Sequence, residues 1–204
     1  MILYSPDYFE TKDPFGIFEE VVHITHKNQL KTDGALILWG GEDIGTKLYN
    51  EEPNKWVSNE YPSKRDLFEI KLITEAISKG IPIIGICRGA QLLCVSAGGK
   101  LMQHINNHNG THKVTLHDEG GSVIACNSAH HQMMIPNKSA KILASATETT
   151  GNDQYNTYSV IDEVPEVVYF PLIKALGIQA HPEWSNCPRD FVAYCTRKIK
   201  EYLL

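Results

Sequence analysis

Apolar residues fall along this chain in two rhythms, and their alternation predicts an α/β fold. Short runs with almost no polar interruption occur at Gly34–Trp39, Ile81–Ile86 and Ala175–Ala180. Runs of that kind suit strands covered on both faces of a parallel sheet. Between the first two lies Lys64–Lys79, where Leu67, Ile70, Ile73, Ala76 and Ile77 recur at helical spacing and Gly80 follows. An amphipathic helix is expected there. Ala90–Ala97 reads as another helix, stopped by Gly98-Gly99. Met1–Tyr4 is a short first strand, and Asp13-Pro14 is expected to cap a helix running through Phe18, Val21, Val22 and Leu30. Strand and helix in alternation imply a mostly parallel sheet with right-handed crossovers.

The texture changes after Gly99. Leu101–Lys113 is polar and holds His104, His108 and His112. Val114–Leu116 and Ser122–Cys126 read as paired strands around Asp118-Glu119-Gly120-Gly121. Lys141–Thr147, Tyr158–Asp162 and Val167–Phe170 read as further short strands, so a small antiparallel set joins the parallel sheet. Asn50–Pro62 is a polar surface loop with two prolines, and Pro188 opens a last helix holding Phe191, Val192, Cys195 and Ile199. With no repeat and no low-complexity linker, residues 1–204 read as one domain.

The run Ile81–Ile86 ends at Gly85-Ile86-Cys87-Arg88-Gly89, just before the helix. Strand, tight turn and helix, with a nucleophile-type residue between two glycines, is a nucleophile elbow. There the Cys87 thiol would sit at a helix N-terminus, whose free N–H groups and dipole favour a thiolate. The bland rival is a buried cysteine at a strand end. A cysteine nucleophile needs a base, and the base needs an orienting acceptor. His181 and Glu183 stand at i and i+2 after the strand Ala175–Ala180, so extended structure would project both to one side. Their rival is an inert surface turn. An oxyanion hole could come from the N–H of Arg88 and from the Gly40-Gly41 loop after the neighbouring strand. His104, His108, His112 and His117 invite a zinc reading, but their segment offers no Cys, Asp or Glu at ligand spacing, so a polar loop is expected. Trp39, Trp56 and Trp184 read as packing residues.

A 42% apolar and 21% charged composition is that of an ordinary globular protein, and a net charge of −5 advertises neither nucleic acid nor an anionic membrane. No apolar run approaches the length of a membrane span, and the N-terminus lacks the basic and apolar regions of a signal peptide. Five cysteines, with no Cys-x-x-Cys pair, suggest free thiols in a reducing cytoplasm.

Several motifs are jointly recognisable: Gly40-Gly41-Glu42-Asp43 with Tyr49, Arg65-Asp66 with Glu69, Gly85–Gln91, Gly98–Gln103, Asn127–Gln132 and Gly177–Trp184. Over roughly Gly34–Trp184 the chain resembles the class I glutamine amidotransferase-like family, closest to its γ-glutamyl-γ-aminobutyrate hydrolase type, peptidase C26. It departs in having Thr46 for the family's usual Pro, Cys94 for a frequent Asn, and no early arginine. The resemblance implies a flavodoxin-like, three-layer α/β fold and a Cys87–His181–Glu183 triad. It also implies an oxyanion hole at Gly41 and Arg88, with Gly40 beside the substrate. Gln91 and the Asn127, Ser128, Ala129 and His130 stretch would hold the glutamyl end. The activity so implied is hydrolysis of a γ-glutamyl amide to glutamate and an amine, with no metal or organic cofactor. Candidate leaving groups are γ-aminobutyrate, other polyamine-derived amines and nucleotide phosphoramidates. The same motifs suit a glutaminase subunit passing ammonia to a synthase partner, and a homodimer is compatible with either reading. A non-enzymatic binding module is the third reading.

Overall fold

The chain begins with β1 (Ile2–Pro6), flanked in parallel by β2 (Glu20–Ile24) and by β3 (Gly34–Leu38). Helix α1 (Lys64–Lys79), β4 (Ile83–Ile86) and α2 (Arg88–Ser96) follow. The chain then lays down β5 (Lys100–Met102), β6 (His104–Ile105) and a long hairpin, β7 (Asn109–Leu116) and β8 (Ser122–Ala129). Next come β9 (Met133–Ile135), β10 (Lys141–Ala146), β11 (Thr149–Asn152), β12 (Tyr158–Ile161) and β13 (Val164–Phe170). The last elements are β14 (Ala175–Ile178) and α3 (Arg189–Tyr202). This computed structural model describes residues 1–7, 12–147, 149–152, 155 and 158–204.

Among the described residues the main sheet runs β2-β1-β3-β4-β14-β13-β10-β7-β8. Its first five strands are parallel, in the flavodoxin-like order, and the other four extend it antiparallel. The expected fold class holds, although the antiparallel part is longer than the sequence pattern suggests. The β7–β8 pairing runs from Asn109↔Ala129 to Leu116↔Ser122. The side chains of β3 alternate between two cores. Leu36 and Leu38 pack with Leu72, Ile73 and Ala76 of α1 and with Leu92 and Leu93 of α2. Ala35 and Ile37 share the opposite core with Phe191, Tyr194 and Ile199 of α3. Helices therefore cover both faces, which gives three layers.

Helix α1 has the expected ends. Ser63 caps it by accepting the Asp66 N–H, and Gly80 closes it in the left-handed region at φ 67°. Its buried face is not the expected one. Leu67 and Ile77 are exposed, whereas Asp66 and Glu69 are buried beside Leu72, Ile73 and Ala76. The helix is rotated so that two carboxylates enter the interior, where Arg88 meets them.

The helix expected from Asp13 to Leu30 is absent among the described residues. The Asp13 carboxylate does accept cap-like hydrogen bonds from the N–H groups of Phe15, Ile17 and Phe18. Gly16, at φ 64°, breaks the helical path, and Glu20–Ile24 becomes a strand. Its β-branched Val21, Val22 and Ile24 suit an extended backbone beside β1. β8 also runs past the expected Ser122–Cys126 and takes in Asn127–Ala129. All five cysteines are free thiols. Among the described residues no helix is long and apolar enough to cross a membrane.

Candidate active site

Cys87 sits where β4 turns into α2, with φ 49° and ψ −108°, a conformation that costs a side-chain-bearing residue of order 1–3 kcal/mol. Packing holds it there. A Cβ on Gly85 would come within 2.6 Å of the Gly89 backbone, and one on Gly89 within 2.7 Å of the Leu38 carbonyl carbon. The two glycines thus let strand and helix approach closely enough to force the turn. The thiol is almost fully buried, at the N-terminus of α2.

His181 lies just past β14, the neighbour of β4. Its Nδ1 is 2.7 Å from Glu183 Oε1. The pairing comes from a turn at Pro182-Glu183, closed by the Trp184 N–H to the His181 carbonyl, and not from strand alternation. The Cys87 thiol is within hydrogen-bonding reach of the same imidazole. Burial alone would lower the His181 pKa, but the Cys87 and Glu183 groups outweigh it and carry it from 6.5 up to about 9. The Asn127 side chain grips the His181 backbone from both sides, accepting its N–H at 3.1 Å and donating to its carbonyl at 2.9 Å.

The Gly40-Gly41 loop touches this pair. A Cβ on Gly40 would lie 2.9 Å from His181 Cε1 and 3.5 Å from Cys87 Cβ. Gly41 has φ 146°, a region open to glycine. Arg65 Nη2 donates to the Trp39 and Gly40 carbonyls at 2.8 and 3.0 Å, while its Nε donates to Glu69 at 3.0 Å. The Arg88 side chain points away into the buried pair of Asp66 and Glu69.

On the other side of Cys87, Gln91 lies one helical turn on and faces the Gln132 carbonyl and Gln179 Oε1 at 3.4 Å. Ser128 Oγ donates to the His108 carbonyl at 2.7 Å. His130 donates its backbone N–H to the same carbonyl at 3.1 Å. Ala129, the last residue of β8, pairs with Asn109. β8 is an edge strand, so alternate backbone groups of Asn127–Ala129 point away from β7. A cavity of about 650 Å³ opens beside His181, lined in part by Lys12, Asp13, Trp39, Gly41, Glu183 and Trp184.

A profile of the peptidase C26 family matches residues 19–183. The chain belongs to this family. Its members are glutamine amidotransferase-like proteins that hydrolyse amide bonds. Among relatives, the protein NtpR of Enterococcus hirae is 32% identical over 172 residues, 74% of this chain and 67% of NtpR. The γ-glutamyl-CDP-amidate hydrolase of Campylobacter jejuni is 31% identical over 117 residues, 57% of this chain and 52% of that protein. The matches thus span about half to two thirds of these curated relatives. A glutamine amidotransferase structure from Thermotoga maritima superposes with a TM-score of 0.58 at 15% identity, covering 98% of this chain and 84% of that one. This likeness supports the fold alone.

Of the residues marked in the sequence, His181, Glu183 and the Gly40-Gly41 loop meet at Cys87, Gln91 lies one turn on, and Asn127 holds the His181 backbone, while Ser128 and His130 meet at the His108 carbonyl. Trp184 is half-exposed and stacks on the His181 ring at 3.9 Å, so it lines the cavity and does not pack the core. Trp56 is likewise half-exposed, and only Trp39 is a core residue. Arg65 was legible as part of a motif, yet its grip on the Gly40 carbonyl appears only in three dimensions.

Proposed function

We propose that this protein is a cysteine hydrolase that cleaves a γ-glutamyl amide through a γ-glutamyl thioester. The strained Cys87 elbow facing the His181–Glu183 pair is the observation that carries this reading. The Cys87 thiolate attacks the γ-carbonyl carbon, forming a C–S bond and an oxyanion. With Glu183 on Nδ1, the Nε2–H of His181 is left to protonate the departing nitrogen as the C–N bond breaks. The neutral imidazole then takes a proton from water, whose oxygen attacks the thioester. Glutamate leaves and the thiolate returns.

The oxyanion would be held by the N–H groups of Arg88 and Gly41. Arg65 supports that role for Gly41. In a trans peptide the C=O and the following N–H point opposite ways. Arg65 holds the Gly40 carbonyl on its own side, so the Gly41 N–H is turned from Arg65. Gln91 and the open edge of Asn127–His130 are suited to the glutamyl amino-acid end, with Asn127 acting through His181. The cavity beside His181 is suited to the amine, and its size favours a substituted amine over ammonia.

The test is glutamate release from a panel of γ-glutamyl compounds, with Cys87→Ala as control. The C. jejuni relative puts γ-glutamyl-CDP-amidate first in that panel and γ-glutamyl-γ-aminobutyrate next. At least one substituted amide is expected to exceed glutamine by ~100-fold in kcat/KM, which asks the amine contacts for only about 2.7 kcal/mol. If none beats glutamine and a synthase partner raises glutamine turnover, the protein is an ammonia donor instead.

A further inference from the structure

Three histidines from the polar middle of the chain meet a carboxylate in the interior. His108 directly precedes β7, His112 lies on it, His130 directly follows β8, and Glu166 lies on β13. Glu166 is fully buried, and His108 and His130 nearly so. The Nε2 atoms of His108, His112 and His130 lie 3.7, 3.0 and 3.6 Å from Glu166 Oε1. None is aligned as a donor to it, for neither Glu166 oxygen receives a hydrogen bond, and Nε2 of His108 and of His130 is unpartnered. Leaving such groups buried and unpaired costs ~1–3 kcal/mol each, and more for a charge.

The tautomers sharpen the point. His108 Nδ1 is 2.9 Å from the Asn106 carbonyl oxygen, and His130 Nδ1 is 2.8 Å from that of Gln132. A carbonyl only accepts, so both Nδ1 atoms carry protons, and in the neutral rings each Nε2 presents a lone pair. Two lone pairs and a carboxylate oxygen thus converge, all within 4.8 Å of one another. An Nδ1–H bonded to a backbone carbonyl, with Nε2 free, is how metal-ligating histidines are oriented.

We propose that His108, His130 and Glu166 form a zinc site, with water completing the four positions. Zinc–nitrogen and zinc–oxygen bonds near 2.0–2.1 Å set tetrahedral ligand–ligand edges at about 3.3 Å. The His130 and His108 edges to Glu166, at 3.6 and 3.7 Å, lie near that value, and all three ligand atoms are within 4.8 Å of one another. Imidazoles with one carboxylate suit zinc and are poor hosts for magnesium or calcium. His112 is partly exposed, which gives the ion a way in. Its Nε2 is partnered by Cys126 Sγ at 3.3 Å, so His112 lies beside the site and outside its ligand set. The ion would tie the start of β7, the end of β8 and β13 together behind Asn127–His130. Ser128 and His130 already meet there on the His108 carbonyl.

The test uses the full chain equilibrated with zinc, freed of excess metal and analysed by plasma mass spectrometry. Variants are His108→Asn, Glu166→Gln and, as a control for the reactive thiol, Cys87→Ala. About one tightly held zinc per chain is expected in wild type and Cys87→Ala, with a Tm that falls on chelation, because ligand binding to the native state stabilises it. Cobalt in its place should show the intense visible bands of a tetrahedral centre. His108→Asn should lose the metal, the bands and the chelator-sensitive Tm shift while staying folded. It decides the matter even if Glu166→Gln does not fold. A wild type that retains no zinc and has the same Tm with and without chelator overturns the proposal. So does metal that disappears in Cys87→Ala and persists in His108→Asn.

Discussion

Cys87, His181 and Glu183 act as one electrostatic unit, and its charge state sets a pH limit on the proposed reaction. The His181 pKa is raised to about 9, so its proton, and with it the general acid, is lost as pH rises through that value. We expect kcat/KM to fall above about pH 9. In Glu183→Gln one of the two supporting groups is gone while burial still disfavours the cation, so the alkaline limb should move to lower pH. An unmoved limb would show that Glu183 does not support the imidazolium. Cys87→Ala should remain folded and lose activity by roughly three orders of magnitude or more. A glutamine-like electrophile should label Cys87 and spare the other four thiols. Of these, Cys94, Cys126, Cys187 and Cys195 all have their pKa raised, with burial as the leading cause. These three site residues were legible because each sits in a short motif whose neighbours dictate its backbone. Glu166 was not, because its meaning depends on strands far apart in sequence, and Trp184 was not, because only the turn at Pro182-Glu183 shows that its ring stacks on His181.

At the scale of elements, α1 teaches the most. Its limits, Lys64–Lys79, follow from Ser63 and Gly80 and were readable to the residue. Its buried face was not. Counting apolar residues gave Leu67 and Ile77 to the core, whereas the interior takes Asp66 and Glu69, because Arg88 is buried against them. Apolar periodicity cannot register a buried salt bridge, since its carboxylates look like surface residues. Glu69→Gln leaves Arg88 buried with one charge missing and also loosens Arg65. A loss of about 3 kcal/mol is expected from the urea midpoint, in line with breaking one side of a buried pair. A change below ~1 kcal/mol, the level of a surface pair, would mean that solvent reaches Arg88. Gly89→Ala should also destabilise, by ~1–3 kcal/mol, because the new methyl meets the rigid backbone of Leu38. The missing N-terminal helix is the converse failure. The cap at Asp13 was real, but Gly16 and the β-branched Val21-Val22 outweighed it.

Over the whole molecule, the five parallel strands bring Gly40, Cys87 and His181 together at their C-terminal ends, where open α/β sheets bind ligands. The antiparallel extension brings Asn127–His130 to the same place from the opposite side. In the proposed reading the glutamyl end would face the later half of the chain, while the cavity is walled by Lys12, Asp13 and Pro14 from the first crossover and by Pro182–Trp184. This division makes the two halves of a substrate separately adjustable. Lys12 is exposed at the cavity wall, far in sequence from the motifs that bear the chemistry. A leaving group with a phosphate or carboxylate would find its ammonium there, whereas the amide of glutamine reaches no such contact. Lys12→Glu should therefore lower kcat/KM for an anionic γ-glutamyl amide by about tenfold, the effect of losing one exposed charge-assisted contact worth ~1.4 kcal/mol. Glutamine turnover should stay within about twofold, since no general-acid or oxyanion group has changed. The loss should also shrink as salt is raised, because an exposed ion pair is screened. Equal losses for both substrates would place Lys12 in the common machinery. No loss for either would mean that the amine leaves by another face.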